Sequence, residues 1–135
     1  MPFRLLAHTA DVRAACSGAS VAELLESAAE ALYALAFRER VGGCDAARVV
    51  EVAGGSTEEL LVRWLQELIY LMDAERFVAA TFEFVETTPV RAQAALRGAI
   101  YTPSMRAEEV KAATYHGMHV LRDGSGYAAE VVFDV

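Results

Sequence analysis

Two Ser-x-x-Glu boxes, each opening an apolar run at helical spacing, do most to limit what this chain can fold into. In such a box the serine hydroxyl and the glutamate side chain satisfy backbone donors that a helix start leaves free. The first pairs Ser20 with Glu23. Val21, Leu24, Leu25, Ala28, Leu32 and Leu35 then recur on one face, while Glu23, Glu26 and Glu30 lie off it. The second pairs Ser56 with Glu59. Leu61, Trp64, Leu65, Leu68 and Met72 form its stripe, and Arg63, Gln66, Tyr70 and Asp73 share the opposite face. The spacing predicts two amphipathic helices, each with an apolar face to cover. Glu-Leu-Leu occurs in both, but the offset between matching residues is not constant, so no internal repeat is read.

The remaining segments read as strands. Phe3 to Leu6, Arg13 to Cys16 and Arg48 to Val52 are short candidates. Phe77 to Val85 and Val90 to Leu96 flank Glu86-Thr87-Thr88-Pro89, the pattern of a hairpin. Val110 to Tyr115 and His119 to Arg122 carry weaker patterns. Tyr127 to Asp134 carries a stronger one, entered through Asp123-Gly124-Ser125-Gly126. Two helices among hairpin-like strands predict an α+β fold, with the helices covering a face of mostly antiparallel sheet.

At 135 residues the expectation is a single domain spanning 1–135. A chain this long buries enough surface to fold without disulfides or zinc, and a 55% hydrophobic composition excludes intrinsic disorder. With 12 Lys+Arg against 19 Asp+Glu, the net charge of −7 argues against a general nucleic-acid coat, because phosphate affinity comes mostly from Lys and Arg. No apolar stretch reaches the roughly 18 residues of a membrane span. Arg4, His8 and Asp11 near the start do not fit a signal-peptide core. The expected location is cytoplasmic. Cys16 and Cys44 lack Cys-x-x-Cys spacing and read first as small buried hydrophobes, with a redox pair as the alternative.

Three features could carry chemistry. The chain closes on Val131-Val132-Phe133-Asp134-Val135, apolar to its last residue, where termini are usually polar and frayed. Such an end reads as a docked strand, with Phe133 and Val135 on one face and Glu130, Val132 and Asp134 on the other. A docked Val135 brings its α-carboxylate near Asp134, and two anions in a partly buried place need a cation. Position alone favours the plainer reading, in which Asp134 faces water at a strand end. Second, His8-Thr9-Ala10-Asp11-Val12 places a His and an Asp where they could converge, or where Thr9 or Asp11 simply closes a turn. Third, Lys111 in Val110-Lys111-Ala112-Ala113-Thr114-Tyr115-His116 is the only lysine; the other 11 cations are arginine. It suits presentation of a compact ammonium to phosphate, or is a plain surface lysine. His116 and His119 fall on opposite faces of a strand, which disfavours a shared metal. No phosphate loop, nucleophile elbow or zinc pattern is present.

These segments together resemble the archease family, small proteins that assist the RtcB-type tRNA-splicing RNA ligase. The resemblance rests on His8-Thr9-Ala10-Asp11-Val12 and on the helix segment Leu60 to Leu71. It continues in Val110-Lys111-Ala112-Ala113-Thr114-Tyr115-His116-Gly117 and the closing Val131-Val132-Phe133-Asp134-Val135. Arg63 stands where the family often has an acidic residue, and Gln66 where it often has Asn. The resemblance implies a divalent-metal site at Asp11, Asp134 and Val135. All-oxygen ligation suits Ca²⁺ first, with Mg²⁺ or Mn²⁺ next. It implies no catalysis of the chain's own, but activation of the ligase, with roles for Lys111, His8 and His116. The ligase joins a 2′,3′-cyclic phosphate or 3′-phosphate RNA end to a 5′-hydroxyl end through a histidine–GMP intermediate. The implied partnership is transient, with no strong nucleic-acid binding and no membrane. The competing readings are a chaperone-like module for nucleic-acid-processing enzymes and a metal-dependent phosphoester hydrolase.

Overall fold

The computed structural model describes residues 11–115 and 117–135; the expected strand at Phe3 to Leu6 and the residues His8, Thr9 and His116 lie outside them. The strands are β1 (Asp11–Gly18), β2 (Ala46–Ala53), β3 (Phe77–Thr88), β4 (Arg91–Ile100), β5 (Ala112–Thr114), β6 (Val120–Asp123) and β7 (Gly126–Asp134). They form two antiparallel sheets. One has the order β2-β4-β3. In the other, β7 is central: β1 pairs along one edge, while β5 and β6 share the other edge, β5 at residues 132–134 and β6 at 126–129.

Both capping serines act as expected. The Ser20 hydroxyl accepts the Glu23 N–H at 3.2 Å and opens α1 (Val21–Ala36). The Ser56 hydroxyl accepts the Glu59 N–H at 3.1 Å and opens α2 (Thr57–Glu75). In the second box Glu59 Oε1 takes the N–H of Gly55 at 3.0 Å, one residue before the cap. On α1, Ala29 and Ala36 join the buried face and Leu35 is only partly covered. On α2, Leu60, Val62, Ile69 and Leu71 are buried in addition to the expected stripe. The wider face has a cause: α2 touches β2, β3 and β4 of one sheet and β5 of the other. Trp64 sits between the helices. Its indole N–H donates to the Leu25 carbonyl at 2.9 Å, and its ring lies 5.5 Å and 6.0 Å from those of Phe84 and Phe82.

The β3–β4 hairpin turns later than the sequence suggests. Glu86, Thr87 and Thr88 stay in β3, and the turn is Pro89-Val90. Register shifts near Ala80 and Val85 each give β3 an extra residue over β4, which carries the strand past the expected break. The first shift brings backbones so close that a Cβ at Gly98 would meet the Val78 carbonyl oxygen at 1.8 Å. Cys16 is buried, as expected, but Cys44 is exposed and both thiols are free, so neither the second burial nor the redox pair holds.

Candidate carboxylate site at the strand ends

The register of the β7 sheet brings together residues from three parts of the sequence. Asp11, at the start of β1, pairs directly with Asp134 at the end of β7. Ala112, at the start of β5, pairs with Asp134 from the other side. The Lys111 N–H donates to the Asp134 carbonyl at 2.8 Å, which fixes the residue before β5 at the same end. Residues opposite one another in an antiparallel pair project to the same face with Cβ atoms about 4.5–5.5 Å apart. Asp11 and Asp134 therefore form a carboxylate pair, with Lys111 beside it.

The strand that carries Asp134 is docked. Val131 and Phe133 are fully buried, and Val135 packs against the same core. The expected alternation holds for Phe133 and Val135. Val132, on the other face, is also buried, flanked by its register partners Arg13 and Thr114. Further along that outer face Arg13 and Glu130 form an exposed pair at 2.8 Å.

The electrostatics follow from this packing. Loss of hydration at the half-buried Asp134, then its hydrogen bond to Asp11 and the charge of that neighbour, raise its pKa above the ordinary aspartate value; Lys111 pulls the other way. One ammonium thus only partly offsets two carboxylates, an arrangement that a further cation would relieve. The available donors are hard oxygens, the side-chain carboxylates of Asp11 and Asp134. This set fits an oxygen-preferring divalent ion. Among the described residues, no three His, Cys, Asp or Glu side chains converge on one point. A cavity of about 390 Å³, bordered by Tyr33, Phe37 and Phe82, opens between α1 and β3, and none of the carboxylate-site residues lines it.

Three further side chains dock the edge strands of this sheet and the segment leading to Lys111; Gln66 is a position the family resemblance singled out, while no sequence pattern marks Glu58 or Arg106. Gln66 lies on the exposed face of α2, yet its Oε1 accepts the Ala113 N–H at 3.2 Å and docks β5. Glu58 Oε2 accepts the Val120 N–H at 2.9 Å and docks β6. That bond to Val120 is the main cause of a lowered Glu58 pKa, with the exposed His119 contributing. Arg106 ties the segment leading to Lys111 onto both helix ends. Their partners are remote in sequence, so no local spacing marks them. His8 and His116 lie outside the described residues.

The fold and the site define a small α+β domain whose strand ends present a carboxylate pair and a lysine. No helix among the described residues is long and apolar enough to cross a membrane. Residues 3–135 match the model of the archease protein family. The chain is 39% identical over 138 residues to an archease of Archaeoglobus fulgidus, covering 100% of both chains. It is 31% identical to an archease of Methanosarcina mazei, covering 98% of this chain and 95% of that one. In fold it is similar to a crystal structure of an archease, a possible chaperone, from Thermotoga maritima. That match has a TM-score of 0.71 at 23% identity, covering 100% and 98% of the two chains. It is also similar to the solution structure of protein 1598 of Methanobacterium thermoautotrophicum, with a TM-score of 0.76, 26% identity and 96% of each chain covered. The chain belongs to the archease family.

Proposed function

We propose that this protein activates an RtcB-type tRNA-splicing RNA ligase in the cytoplasm, promoting its guanylylation by GTP and its multiple turnover. One observation carries the reading: in a member of the archease family, Asp11, Asp134 and Lys111 meet at one end of a sheet. Asp11, Asp134 and the carboxylate of Val135 are the residues to hold a divalent ion, Ca²⁺, Mg²⁺ or Mn²⁺. Such an ion, when bound, supplies positive charge to phosphate oxygens. The chain's own residues supply the rest. Phe133 and Val135 anchor the strand, so the carboxylates stand at a fixed place. Lys111 offers a compact ammonium to the GTP phosphates. The net charge of −7 favours encounter with a basic ligase and disfavours retention of RNA.

The test is multiple-turnover RNA ligation at limiting ligase, with no addition, with this protein and with Asp134→Asn. Stimulation by the wild type alone supports the proposal; equal stimulation by both removes Asp134 from the function. The Thermotoga archease, as a possible chaperone, favours a second reading, a chaperone-like module for nucleic-acid-processing enzymes. Stabilisation of several unrelated enzymes by both proteins would support that reading. A hydrolase would instead release phosphate from model esters without any partner.

A further inference from the structure

Neither helix has a basic residue in its last turn, although a cation there offsets the negative end of the helix dipole. α2 even carries Asp73 in that region. Arg76 stands at the C-cap of α2, and Arg106, remote from both helices in sequence, brings a further cation to the same region. Its Nη1 donates to Asp73 Oδ1 at 3.2 Å and to the Tyr101 hydroxyl at 3.0 Å, and that hydroxyl in turn donates to the Met72 carbonyl at 2.8 Å. Its guanidinium lies 5.6 Å from the ring centre of Phe37, the residue that ends α1, and 5.7 Å from that of Tyr101. The side chain is only 17% exposed.

The same guanidinium also grips its own segment. Nε and Nη2 donate to the Glu108 carbonyl at 3.3 Å and 3.0 Å. Next to it, the N–H groups of Ala107 and Glu108 donate to the Ala36 carbonyl, the free end of α1. Val110 is fully buried, and the Lys111 N–H reaches Asp134. The backbone from Arg106 to Lys111 is thus fixed at both ends, and the Arg106 side chain bonds both to this segment and to α2. We infer that Arg106 is a positioning residue for Lys111, setting where its ammonium stands relative to Asp11 and Asp134. A lysine cannot replace it, because the arrangement uses three guanidinium nitrogens in a fixed plane.

The functional part of this inference rests on the ligase-activating reading; the positional part does not. Two measurements separate them. The first is amide hydrogen exchange in the isolated protein. Arg106→Met, which keeps the stem and removes the donors, is expected to speed exchange at Ala107, Glu108 and Lys111 by about tenfold or more, with β2 and β4 amides unchanged. Unchanged protection at those three amides overturns the inference whatever the ligase does. Asp73→Asn, which leaves Arg106 in place, is the milder variant should Arg106→Met melt the fold, and the same three amides are read. The second is a ligation cycle with wild type, Arg106→Met, Lys111→Ala and the double variant. Arg106→Met is expected to lower stimulation by about fivefold beside Lys111 and not further in the Lys111→Ala background. An equal loss in both backgrounds overturns positioning. Absence of stimulation by the wild type overturns the ligase reading, while the exchange result still decides the positional claim.

Discussion

Phe133→Ala removes a ring that is 0% exposed from the central strand of its sheet, one residue before Asp134. The cost is set by burial on one side and by poor relaxation on the other. β7 is bonded along both edges, so it cannot shift inward to fill the space. Truncating a buried phenylalanine to alanine costs about 3–5 kcal/mol, transfer and cavity together. Against a domain stability of about 5–15 kcal/mol that is a large fraction. At about 4 °C per kcal/mol, the melting temperature should fall by about 12–20 °C. Urea unfolding followed through the only tryptophan, Trp64, with far-UV circular dichroism in parallel, gives the loss directly. A loss below about 1 kcal/mol would refute the reasoning. It would mean that the last strand is not built into the core and that nothing holds Asp134 opposite Asp11.

Other expectations follow from single contacts. Gly98→Ala should destabilise by about 1–3 kcal/mol or prevent folding, because the added methyl meets a backbone oxygen; wild-type urea stability would contradict the close approach. Trp64→Phe should cost about 2 kcal/mol by circular dichroism, since the Leu25 carbonyl loses its indole donor and the smaller ring leaves space. Glu58 has a lowered pKa through the Val120 N–H, so its contribution is full above the unfolded-state value of about 4.3 and is lost as pH falls through the folded value. Glu58→Gln should therefore flatten the acid limb of a stability–pH curve; an unchanged limb would show that this bond carries no linkage.

The helices were legible in the sequence because their signals are local: Ser20 and Ser56 cap the turns that follow them. The strands were legible where alternation was undisturbed, as in β2, and β7 was legible from its apolar run after the Asp123-Gly124-Ser125-Gly126 turn. The hairpin end was not, because the β3 bulges, one opposite Gly98 and one opposite Gln93, are set by pairing with β4 and leave no local mark. The site divides in the same way. Asp134 drew attention because apolar neighbours surround it at the chain end. Its pairing with Asp11 and its closeness to Lys111 are properties of register, fixed only when β1 and β5 close on opposite edges of β7. Arg106 gave no local signal: Asp73 and Phe37, which it reaches at the two helix ends, lie far back in the chain.

The most direct measurement is guanylylation of an RtcB-type ligase by GTP at limiting ligase, with wild type, Asp11→Asn, Asp134→Asn and Lys111→Ala, each first shown to be folded. A working centre at the strand ends predicts faster guanylylation with the wild type and loss of that gain in all three variants. Equal gain from all four proteins would contradict it, leaving the carboxylate pair and Lys111 as features of the fold alone.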